Sequence, residues 1–208
     1  MSQSRRNRDR KPARRPPFRN PKPVILVVCE GKNTEPQYID GYKRHVHNPR
    51  VDIEIAPETG VPRSLVRVAK ERKKAAADES DRQRDPNLAY DSVWCVFDID
   101  DHPNVGEAKE MARDNGIELA ISNPCFELWL LLHFRENPGM QNRHVMKDML
   151  EKFVPDYDKR VEFTTYADGY QTAAGRARRM DEQATADNDA GRNPTTSVYQ
   201  LTEQIGVL

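Results

Sequence analysis

Two short runs of consecutive apolar, mostly β-branched residues constrain this chain more than any other feature. They are Val24-Ile25-Leu26-Val27-Val28-Cys29 and Val93-Trp94-Cys95-Val96-Phe97. Each is too short for a free-standing helix and shows no polar alternation, so each reads as a strand buried on both faces. Strands without a wet face belong to parallel sheets covered by helices on both sides. The intervening segments fit that plan. Thr34 is expected to cap a helix with Pro36 in its first turn, running to about His45. Val51–Ala56 alternates as a half-wet strand, and a long helix runs from about Arg63 into Ala75–Ala77, fading near 78–87. Residues 105–115 suit a helix stopped by Gly116, and Ile117–Ile121 a further strand. Asn123-Pro124 reads as an N-cap with proline at the first helical position, opening a helix over Cys125–Phe134. From about residue 140 the pattern is helical and polar, with a last helix opening near Asn193–Ser197. Alternating strands and helices predict an α/β fold with a parallel sheet of about four strands and a C-terminal helical extension.

Charge divides the chain further. Residues 1–23 hold nine Lys/Arg against one acid, net +8, while the other 185 residues hold 24 basic and 32 acidic residues, net −8. The formal charge of zero therefore hides a basic tail on an acidic body, which excludes a uniformly basic nucleic-acid-binding domain. The expected organisation is a disordered tail over 1–22, an α/β core over 23–135 and a helical extension over 136–208. The tail, with Arg14 and Arg15 near its middle, reads either as a nucleic-acid arm that neutralises phosphates or as a solubilising segment. No apolar run reaches the length of about 18–20 residues that spans a bilayer. No apolar stretch follows the basic N-terminus as a secretory signal needs. Cys29, Cys95 and Cys125 have neither metal-ligand spacing nor an even count, and read as buried thiols. A cytoplasmic, non-membrane protein is expected.

Sites in parallel sheets form at the carboxyl ends of the strands, and acids gather there in this sequence. The first strand ends in Glu30, the second near Glu58, and the third in Asp98, Asp100 and Asp101, with Glu127 in the first turn after the fourth. Clustered carboxylates repel one another unless a positive charge neutralises them, and the usual neutraliser is a hard divalent cation, Mg²⁺ or Mn²⁺. Asp98 and Asp100 share a side if the strand continues. Any one of these acids alone would read as a turn or cap residue; their joint placement favours a metal site. Glu30-Gly31-Lys32 lacks the Gly-x-x-x-x-Gly-Lys-Ser/Thr pattern of a phosphate-cradling loop.

A strand ending in Glu-Gly and a later strand ending in Asp-x-Asp resemble the Toprim domain of topoisomerases, bacterial primases and OLD-type nucleases. More closely, the chain resembles the RloB family of small Toprim-like proteins linked to restriction and abortive infection. The stretches that carry this are Val28–Tyr38, Val96–Asp101, Ser122–Leu130 and Asn193–Tyr199. The resemblance runs from about residue 23 to the end, and implies a Toprim-like core. It implies Glu30 as metal ligand or general acid/base and Asp98 and Asp100 as the metal pair. It further implies a metal-dependent nuclease acting on DNA, RNA or tRNA in phage defence, with a partner ATPase. Lys32 is the candidate for the lysine that related nucleases place near the site.

Other residues carry two readings each. Glu35 is either a ligand or supporting acid, or simply complements the dipole of its helix. Glu127 interrupts an apolar run and needs a partner if buried, so it reads as part of the metal set, with Asn123 beside it as support. His133 reads as a core histidine, and His102 as a candidate phosphate contact. Arg63, Arg67, Lys70 and Lys74 line one helix face, either as a phosphate-tracking stripe or a solvated face, and Arg176, Arg178 and Arg179 form a looser patch. A non-catalytic adaptor subunit of a defence complex is the competing functional reading, and primase-like nucleotidyl transfer a third. Partners expected are nucleic acid, an ATPase and a second copy of the chain.

Overall fold

The computed structural model describes residues 23–55, 62–99 and 105–206. Five strands form one sheet in the order β2-β1-β3-β4-β5: β1 (Ile25–Cys29), β2 (Val51–Ile55), β3 (Ser92–Asp98), β4 (Glu118–Asn123) and β5 (Thr195–Thr196). The first four are mutually parallel and β5 is antiparallel to β4. Helices α1 (Thr34–His45), α2 (Pro62–Gln83), α3 (Val105–Asp114), α4 (Glu127–Leu131), α5 (Arg143–Glu151), α6 (Tyr170–Ala186) and α7 (Val198–Gly206) cover it. The α/β class and the helix-flanked, largely parallel sheet are as the sequence predicts.

Alternation along the strands divides the core. Ile25, Val27, Cys29, Trp94 and Val96 face one cluster with Tyr38 and Ile39 of α1, Leu128–Leu131 of α4, and residues of α6 and α7. Leu26, Val28, Val93, Cys95 and Phe97 face the other with Leu65, Val66 and Ala69 of α2 and Ala108 and Ala112 of α3. Both apolar runs are thus buried on two faces, which is why they carry no polar alternation. The chain leaves β1 through α1 towards β2, then returns through α2 to place β3 on the other side of β1. Right-handed crossovers put α1 and α2 on opposite faces, and the order of strands reverses between β1 and β3, the point at which open parallel sheets place their sites.

Several local expectations are corrected. Thr34 is the first residue of α1, not its cap: Asn33 precedes the helix without a side-chain capping bond, and the Thr34 hydroxyl donates instead to the Lys159 carbonyl at 3.4 Å. Asn123 ends β4 and caps nothing; its Nδ2 donates to the Gly191 carbonyl at 2.8 Å. The following helix starts later, at Glu127, and has only five residues, because the residues just after Asn123 are drawn into the core beside the sheet end. Residues 195–196 form β5 where a helix start was expected, with Thr196 Oγ1 3.0 Å from Ser122 Oγ. α2 continues to Gln83 through the polar stretch, supported by Arg82–Glu79 and Gln83–Glu79 contacts. Gly116 stops α3 with φ +58°, a left-handed conformation that suits glycine. Cys29, Cys95 and Cys125 are buried free thiols. No helix among the described residues is long and apolar enough to cross a membrane.

A candidate metal centre at the ends of β1 and β3

The ladder runs slightly past the adjacent strands β1 and β3: the Glu30 amide donates to the Val96 carbonyl at 3.0 Å, and the Ile99 amide to the Ser122 carbonyl at 2.9 Å. Glu30 therefore leaves the sheet beside the end of β3, where Asp98 stands. Along β3, Asp98 has the phase of Trp94 and Val96 and so turns towards the face that α1 and α4 cover. Glu35 arrives in the first turn of α1 and Glu127 at the first residue of α4. The fold thus brings Glu30, Glu35, Asp98 and Glu127 together from four separate segments.

Burial dominates the electrostatics. Asp98 is pushed well above the usual carboxylate range first by burial, then by the charges of Glu35 and Glu127, with Glu30 adding to them; the Phe126 backbone N–H opposes the shift. Its Oδ1 is buried and has no hydrogen-bond partner among the described residues. Glu35 is 7% exposed. Burial, followed by Glu127 and Glu30, pushes its carboxyl up to about 7 against the opposing pull of its own backbone N–H and of Lys159. The thiol of Cys125 is pushed up by burial and by Glu127 and Asp98. Gly31 leaves room at the turn for Glu35: a Cβ there would lie 2.1 Å from Glu35 Oε2, so the carboxylate would have to shift. The Glu-Gly step of the turn therefore has a concrete role, seating a carboxylate over a bare backbone.

Two residues that the sequence did not single out complete the arrangement. Tyr157 is buried, donates to Glu127 Oε1 at 3.2 Å and lies 3.5 Å from Thr34 Oγ1. Lys159 places its charge near Glu35, whereas Lys32 is exposed at the turn. Both Tyr157 and Lys159 reach the site from the segment after α5, more than 120 positions along the chain from Thr34. The only local signal was an aromatic among turn-forming residues in Asp156-Tyr157-Asp158-Lys159.

The remaining expectations divide. Asp100, Asp101, His102, Glu58, Arg14 and Arg15 lie outside the described residues. His133 is a core residue: Tyr38 Oη lies 2.9 Å from its Nε2, and its Nδ1 faces the Trp129 carbonyl at 2.9 Å. Arg63, Arg67, Lys70 and Lys74 are exposed on α2, which packs on the sheet face opposite α1 and α4, and Arg63 pairs with Glu107 at 3.1 Å. Arg176 and Arg179 pair with Glu136, and Arg178 with Glu203, so that patch is occupied by intramolecular ion pairs.

As placed, no three His, Cys, Asp or Glu side chains among the described residues enclose a metal ion. The donor chemistry nevertheless fits a hard divalent cation: the acids offer only oxygens, and the buried Asp98 Oδ1, without a partner among the described residues, is the kind of atom a native fold otherwise satisfies. The comparison with curated proteins and the comparison with solved structures each return no match. A family model described as RloB-like protein matches residues 25–205 of the 208, nearly the whole chain, and the protein belongs to the RloB-like family.

Proposed function

We propose that the chain is a divalent-cation-dependent nucleic-acid phosphodiesterase, a nuclease of phage defence acting with a partner ATPase. Membership of the RloB-like family fits a defence-associated, Toprim-like protein. The observation that carries the catalytic reading is Asp98: a carboxylate whose Oδ1 is buried without a partner among the described residues, beside three further acids at the switch point of the sheet. An apo fold gains nothing from this arrangement, since each buried charge raises the cost of the next.

Glu30, Asp98 and Glu127 would hold the ion; Asp100 and Asp101, the further candidates from the sequence, lie outside the described residues. When bound, Mg²⁺ or Mn²⁺ supplies positive charge against that of the phosphodiester and against the charge that develops as it is displaced. Glu35 keeps a proton up to about pH 7, which removes one negative charge from the cluster when no cation is present and leaves an acid/base group near its working range. Lys159 counters the charge of Glu35. The exposed Lys70 and Lys74 on α2, with Arg63 and Arg67, supply a basic face for the backbone of DNA or RNA.

The test uses the full chain, alone and with its ATPase, incubated in Mn²⁺ with DNA and with total tRNA. Cut products are expected from the wild type. Glu30→Ala and Asp98→Ala are expected to abolish them while the thermal transition of the protein is retained. A variant that cuts at the wild-type rate overturns the assignment.

A further inference from the structure

Segment 157–161 lies across the start of α1 as a strap. The Val161 amide donates to Gln37 Oε1 at 2.8 Å, and Thr34 Oγ1 donates to the Lys159 carbonyl at 3.4 Å. Asp156 and Lys159 adopt left-handed φ values of 58° and 69°, a costly conformation for residues with a Cβ that surrounding contacts must hold. Inside the strap, Tyr157 is 4% exposed and packs in the α1/α4 core cluster. A phenol has one proton to donate. Here it goes to Glu127 Oε1 at 3.2 Å, which leaves the Tyr157 oxygen to accept from Thr34, 3.5 Å away. The single Thr34 proton is then shared between the phenol oxygen and the Lys159 carbonyl.

From this geometry we infer that Tyr157 is a positioning residue of the acidic centre: its hydroxyl orients the Glu127 carboxylate, and the strap holds that hydroxyl in place through Thr34. The inference rests on reading the centre as a cation site. Glu127 begins a five-residue helix, and an unrestrained glutamate side chain has several staggered rotamers. A buried phenol on one oxygen removes that freedom and presents the carboxylate in a fixed direction. Partners that orient metal-binding carboxylates in this way commonly govern affinity by about 10–100-fold.

Calorimetric titration of Mn²⁺ into the full chain and its variants tests this. Tyr157→Phe keeps the ring in the core and removes only the hydroxyl. It is expected to lower Mn²⁺ affinity by about tenfold while a cooperative thermal transition is retained. In a Glu127→Gln background the same substitution is expected to have no further effect, because the group it orients no longer carries the charge. Thr34→Val, which leaves both Tyr157 and Glu127 intact, is expected to give a smaller loss, and serves if Tyr157→Phe does not fold. Wild-type affinity in both Tyr157→Phe and Thr34→Val overturns the inference, and so does a Tyr157→Phe loss that adds in full to that of Glu127→Gln. A wild-type chain that binds no Mn²⁺ instead overturns the reading of the site itself, and the inference with it.

Discussion

Gly31 and Glu35 share one volume: the carboxylate occupies the space where a Cβ on residue 31 would stand. Placing Glu35 there leaves it buried among other acids, and the consequence is a pH dependence whose sign can be worked out. Folded, Glu35 holds its proton to about 7, against an ordinary value of 4.5, so between those values the folded state binds more protons and stability falls as pH rises. Buried His133 acts the opposite way. Its value is lowered from 6.5 to about 4, first by burial, so the unfolded chain binds more protons in that interval and stability rises with pH. The two effects oppose each other up to about pH 6.5; above it only the acids remain, and Asp98, raised in the same direction, adds to Glu35. Chelator-treated protein is therefore expected to melt at lower temperature as pH is raised from about 6.5 to about 8. Glu35→Gln is expected to flatten that decline, and saturating Mn²⁺ to suppress it. Scanning calorimetry across this range checks both, and a Glu35→Gln slope equal to wild type counts against the assignment.

At the scale of elements, the switch between β1 and β3 puts the two strand-borne acids next to each other, and the short α4 delivers Glu127 at its first residue. The antiparallel β5 pairs with β4 through Thr195 and Thr196, bringing the C-terminal segment into the sheet and its side chains into the same core as α1. Helix α2 plays a different part. One side packs through Leu65, Val66 and Ala69 on the far face of the sheet, and the opposite side exposes Lys70 and Lys74. If that side tracks phosphates, Lys70→Glu with Lys74→Glu is expected to weaken nucleic-acid binding across sequences. The slope of log affinity against log salt is also expected to fall by about one for each phosphate that is no longer neutralised. Fluorescence anisotropy over a salt series reads this directly. An unchanged slope returns the stripe to a solvated face, in keeping with the Arg63–Glu107 pair that already occupies its first member.

At the scale of the molecule, a chain with no formal net charge separates into a tail of +8 and a body of −8, and part of the body's negative charge is gathered at one point of the sheet. A polyanion approaching that point needs positive charge from elsewhere, which the tail carries. Deleting residues 1–22 is expected to lower nucleic-acid affinity and its salt dependence while leaving Mn²⁺ affinity unchanged, as parallel anisotropy and calorimetry would show. Equal affinity in the truncated chain assigns the tail to solubility. Much of this architecture was legible in the residues alone. The unbroken apolar runs of β1 and β3 can satisfy their burial only inside a helix-covered parallel sheet, and a Glu and an Asp at their ends follow from that placement. Helix ends and β5 were not legible, because Asn123 and Thr196 make their bonds to Gly191 and Ser122, partners 68 and 74 positions distant. By itself, then, the sequence determined the doubly buried sheet and the acids at its carboxyl edge, since strand burial is written in local periodicity. The sequence also offered Glu127 and Glu35 as candidates beside them; only the tertiary structure decided that Tyr157 and Lys159 join them, because such meetings depend on how crossovers and the 157–161 strap pack, and no local pattern records a contact between segments that distant.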